Sequence, residues 1–116
     1  MSRGEFYVGK ILLTSAVGDQ PYYSVFEDDG ETGYFYACDE RNSEDPILDA
    51  LHIYNVCGVK DKDKPSLFEI MWKDTRTGLF INGHCHAIFD FAKMEGQCRT
   101  NFPPSKCRKV WKPSAR

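Results

Sequence analysis

The sequence predicts an α+β fold: an antiparallel β-sheet of hairpins and a meander, with one main helix packed on one face. Three observations predict it. Short stretches rich in Phe, Tyr, Val and Ile recur between Gly, Asp and Asn clusters, the pattern of antiparallel strands. The period changes once, at Asp45-Pro46, where an apolar stripe at helical spacing begins. Alternation then resumes around Asn82-Gly83, the strongest short hairpin signal. One helix among strands has to cover the apolar face of their sheet.

Each element follows in order. Phe6 to Leu13 reads as a first strand, with Gly9 at a bulge. Gly18-Asp19-Gln20-Pro21 turns the chain, and Tyr22 to Glu27 is the next strand. Asp28-Asp29-Gly30-Glu31-Thr32-Gly33 is a hairpin turn leading into Tyr34 to Asp39. There Tyr34, Tyr36 and Cys38 face one way, and Phe35 and Ala37 the other. Asp45 then reads as an N-cap and Pro46 as the first helical residue. Ile47, Leu48, Leu51 and Tyr54 supply the stripe, and the helix ends by Gly58. Residues 60–65 alternate Lys and Asp before Pro65, a solvated loop. Leu67 to Lys73 is a strand with Phe68, Ile70 and Trp72 on one face. A turn at 74–78 leads to Leu79–Ile81, Asn82-Gly83 and a strand from His84 to about Phe91. On that strand His84, His86, Ile88 and Asp90 share a face, opposite Cys85, Ala87 and Phe89. Ala92 to Gly96 reads as a helical turn.

A chain of 116 residues has room for one core, so residues 1–116 are expected to form a single domain with a basic C-terminal tail from about residue 105. No apolar run approaches the roughly 20 residues that span a bilayer. Ile11-Leu12-Leu13 is too short for a signal-peptide core. Five cysteines, an odd number without a C-x-x-C pair, suit reduced thiols. These features together point to a cytoplasmic protein with no membrane partner. Oligomeric state is left open.

The most informative feature is charge. Residues 1–51 hold eleven acids and three bases, whereas residues 52–116 hold six acids and twelve bases, so the net −2 conceals an asymmetry. Such a field steers charged partners. The acidic candidates for contact with a protein partner are Glu27, Asp28, Asp29, Glu31, Asp39, Glu40, Glu44 and Asp45.

Other chemistry is thinner. His84 and His86 with Cys98 offer three zinc-ligand types, but Cys85 between the histidines points away on a regular strand. His86, Asp90 and Arg99 form the alternative set, a small hydrolase or nuclease-like site with a proton shuttle and an anion clamp. His86 and Asp90 lie about 13 Å apart along an extended strand, so that site needs a bend. The acidic turn lacks the spacing of a calcium loop. The basic run Lys106 to Lys112 around Trp111 has nucleic-acid chemistry, which the acidic half opposes. No cofactor or resident metal is expected, and a nucleic-acid partner is disfavoured.

Three blocks carry a resemblance: Val25 to Ala37, Ile47 to Val56, and Leu79 to Gly83 with His86 to Asp90 and Cys98 to Pro104. In them the chain resembles the short bacterial proteins grouped as domain of unknown function 2251. The resemblance brings no catalytic residues with it, and Cys85 departs from the family pattern. What it implies is a class: many similar small bacterial cytoplasmic domains are immunity proteins that neutralise a toxin. The expected function is therefore a small binding protein that neutralises a cationic bacterial toxin domain through its acidic surface.

Overall fold

The computed structural model describes residues 2–16, 18–98 and 109–110. Ten strands run through them: β1 (Ser2–Phe6), β2 (Ile11–Ala16), β3 (Tyr22–Asp28), β4 (Thr32–Asp39), β5 (Ile47–Asn55), β6 (Ser66–Lys73), β7 (Arg76–Ile81), β8 (His84–Asp90), β9 (Glu95–Cys98) and β10 (Lys109–Val110). Strands β2, β3, β4 and β5 form a four-stranded sheet in that order. The other sheet has six strands in the order β1, β6, β7, β8, β9, β10. Every pairing is antiparallel.

The inward sides of the two sheets meet in one core. Phe26, Phe35 and Leu51 of the small sheet join Phe68, Leu79 and Phe89 of the large one. Phe26 stacks on Phe68, and Phe35 on Phe89, each pair with centroids 5.2 Å apart. Fully burying one such ring contributes roughly 2–3 kcal/mol. Two polar links cross the same gap. Ser24 and Thr77 share a buried hydroxyl hydrogen bond of 2.9 Å, and Trp72 Nε1 donates to Ser15 Oγ at 3.0 Å.

The architecture is all-β, a sandwich of two sheets, and this corrects the α+β expectation. Residues 45–58 contain no α-helix; they form β5 and one 3₁₀ turn, Val56–Gly58. Pro46 caps nothing. Its carbonyl accepts the Asp39 N–H at 2.8 Å, where a missing N–H of its own costs no ladder bond. The stripe that imitated a helix comes from two bulges. Register shifts opposite Gly33/Tyr34 and Ala37/Cys38 leave Ile53 and Leu48 as extra residues in β5. Each bulge advances the alternation by one position. Leu48, Leu51, Ile53 and Tyr54 therefore all reach the core, at intervals of three, two and one.

The first strand is also two strands. Gly9, at φ +132°, lets the chain leave the large sheet after β1 and enter the small one at β2. The Asn82-Gly83 turn has both residues at positive φ, 52° and 82°, as a type I′ hairpin requires. Residues 91–94 form a turn before β9.

Candidate protein-binding face

Register decides what the small sheet presents outward. Leu12, Glu27, Tyr34 and His52 form one cross-strand row; Thr14, Val25, Tyr36 and Ala50 form the next; Ala16, Tyr23, Cys38 and Ile47 form the third. None of these twelve belongs to the core cluster. Leu12 is 68 % exposed and Ile47 48 %, large values for aliphatic side chains on a sheet. Three tyrosines stand between them. The Tyr34 and Tyr36 rings stack at 6.0 Å, and His52 leans on Tyr34 at 5.4 Å. Stacked rings hold each other in place, so the face is pre-organised for contact.

The acids surround this face without forming one cluster. Glu27, Asp29 and Glu31 are exposed at the β3–β4 hairpin, whereas Glu40, Glu44 and Asp45 are exposed at the β4–β5 connection. Strand β4 separates the two groups by about 23 Å. Asp28 and Asp39 are buried and serve the fold. Asp28 accepts from Gly9 N–H at 2.7 Å, Gly30 N–H at 2.9 Å and Tyr54 O–H at 2.6 Å. Burial, and then the Asp28 carboxylate, raise the Tyr54 pKa, so this phenol stays a donor. Asp39 takes Arg41 Nη2 at 2.6 Å and Nε at 2.9 Å, and Arg41 lies over the Tyr22 ring. Backbone N–H groups of Thr32 and Glu31 hold the Asp29 pKa below the usual carboxylate value. On the face itself, partial burial and then the Glu27 carboxylate raise the Tyr36 pKa. The Tyr23 phenol is likewise raised, by burial first and then by Cys38, Glu40 and Asp39. Both rings are neutral at pH 7, and the charge around them is negative.

The residues of the alternative sites go to separate places. A register shift between Leu79 and Phe80 makes His86 the extra residue of β8 and reverses which side it presents. His86 lines an apolar cavity of about 330 Å³ between the sheets, with Ile53, Tyr54, Phe68 and Ile81. Asp90 lines a surface depression with Arg76, Lys93 and Glu95, and its Oδ1 accepts the Ala92 and Lys93 N–H groups. His86 and Asp90 are thus not brought together. Arg99, and the basic tail apart from the backbone of β10, lie outside the described residues. His84 is exposed, and the side chain of Cys98 is not described. No group of three metal-binding side chains occurs among the described residues.

The family described as "Uncharacterized protein conserved in bacteria (DUF2251)" matches residues 6–116. The chain belongs to DUF2251. A relative from Haemophilus influenzae (strain ATCC 51907 / DSM 11121 / KW20 / Rd), described as "Uncharacterized protein", is 43% identical over 111 residues, covering 92% of this chain and 69% of the relative. No solved structure matches. The three sequence blocks that carried the resemblance lie within the matched span.

In this DUF2251 chain the tyrosine face is the feature that sequence reasoning left unused. Tyr34 and Tyr36 were placed on a common side by alternation, but Tyr23, Leu12 and Ile47 join them only through the register of four strands. An aromatic sheet surface with acids at both ends can bury apolar area and attract cations together. Among the described residues no helix is long and apolar enough to cross a membrane.

Proposed function

We propose that this DUF2251 chain is a binding protein that neutralises a cationic protein, in the manner of an immunity protein disarming a basic bacterial toxin. The observation that supports it is the make-up of the small sheet. Its segment, residues 11–55, carries ten acids against one base, and that base, Arg41, is already paired with Asp39. Opposite charge speeds encounter, and tyrosines are favoured anchors once contact is made. Glu27, Asp29, Glu31, Glu40, Glu44 and Asp45 supply the field, and Tyr23, Tyr34 and Tyr36 the contact. Asp28 and Asp39 hold that surface in shape from beneath. The proposal places the protein in the cytoplasm, where Cys38 and Cys57 persist as free thiols.

Co-expression tests it. The product of the neighbouring gene is expressed with and without this chain, and growth and complex formation are measured at two salt concentrations. Rescue of growth with a complex that weakens as salt rises is the expected result. An absence of both rescue and any salt-sensitive complex counts against the proposal.

A further inference from the structure

We infer that Glu27, Tyr34 and Tyr36 form a seat for one arginine side chain of the protein partner. This rests on the reading of the chain as a binder of cationic proteins, and gives that reading its contact chemistry. The same sheet contains a filled version of the arrangement. Arg41 lies 5.4 Å from the Tyr22 ring centroid, while its Nε and Nη2 donate to the Asp39 carboxylate at 2.6 to 3.2 Å. A ring face supports the guanidinium plane, and a carboxylate takes its N–H fork.

Glu27, Tyr34 and Tyr36 offer the same parts on the outer side. Glu27 is the direct cross-strand neighbour of Tyr34, and Tyr36, two residues along β4 on the same side, is its diagonal neighbour. The two rings stack at 24° between planes. Glu27 is exposed and makes no ion pair among the described residues. Arg41 is the one base in residues 11–55 and is committed to Asp39, so the small sheet has no cation of its own to offer. A guanidinium fits better than an ammonium. It is planar, stacks on rings, and is less strongly hydrated than lysine's compact charge.

The test uses the full chain and two hexapeptides of alternating Gly and Arg or Gly and Lys, with calorimetric titration and amide chemical shifts as readouts. The arginine peptide is expected to bind about three- to fivefold more tightly than the lysine peptide, shifting Glu27, Tyr34 and Tyr36. Glu27→Gln should weaken both peptides. Tyr34→Leu with Tyr36→Leu keeps apolar bulk and should abolish the preference for arginine, whereas Tyr34→Phe with Tyr36→Phe should retain it. Thermal melts of each variant check folding. Equal affinity for the two peptides, or a preference that survives the leucine pair, overturns the arginine seat and leaves the cationic reading standing. Binding of neither peptide also overturns it. Failed rescue on co-expression strikes the broader reading instead, and the peptide preference can still be measured.

Discussion

Asp28 and Cys38 show how the buried residues of the acidic sheet differ from its exposed ones. Asp28 satisfies three donors from three separate segments, at Gly9, Gly30 and Tyr54. Asp28→Ala leaves those donors orphaned, and a loss of about 3 kcal/mol or more is expected in urea unfolding. Glu31→Gln, at an exposed site, should stay within about 0.5 kcal/mol. Cys38 is buried, and desolvation pushes its thiol up to about 11. Cys57 is exposed. Iodoacetamide at pH 8 should therefore modify Cys57 quickly and Cys38 only on unfolding, as read by mass spectrometry. The raised thiol pKa also has a stability sign. Both states are protonated below the unfolded value near 9, so nothing is lost there. Between pH 9 and about 11 only the unfolded thiol ionises, and stability falls by on the order of 2 kcal/mol.

Glycines set the close approaches between elements. A Cβ at Gly33 of β4 would lie 2.9 Å from the Tyr54 ring and 3.0 Å from that of Phe26, both buried. Gly33→Ala is expected to cost about 1–3 kcal/mol, measured by thermal or urea unfolding. Gly33 is also where β5 slips its register, which bears on what the sequence could disclose. The hairpins at 28–33 and 82–83 were legible because their turns need residues that tolerate positive φ. The inward set Phe68, Ile70 and Trp72 was legible because β6 has no bulge. Strand β5 was not, because two inserted residues turned a period of two into an imitation of 3.6, and Asp45-Pro46 supplied a false start signal. The bulge at His86 likewise broke the shared face expected for His86 and Asp90. At the site, the acidic bias could be read directly. Its division between the two ends of β4, and the burial of Asp28 and Asp39, depended on pairings between distant strands.

For the whole molecule, negative charge gathers in the segment that forms the small sheet. Ten acids against one base over residues 11–55 repel one another in the folded state. Salt screens that repulsion, so raising NaCl from low to about 0.5 M should increase the melting midpoint by about 2–5 °C in calorimetry. The same salt should weaken a complex with a cationic partner, and the opposite signs separate folding from binding. One part of the large sheet acts on a different timescale. Ser2 of β1 lies opposite Ile70 of β6, although Gly9 has by then delivered the next strand to the other sheet. On the ribosome, β2 to β5 can pair as soon as each emerges, whereas β1 must wait for a strand made some sixty residues later. Strand β1 is thus a latch that cannot close before β6 is made, and a bulky tag placed before Ser2 would burden that closure more than one set in the 60–65 loop.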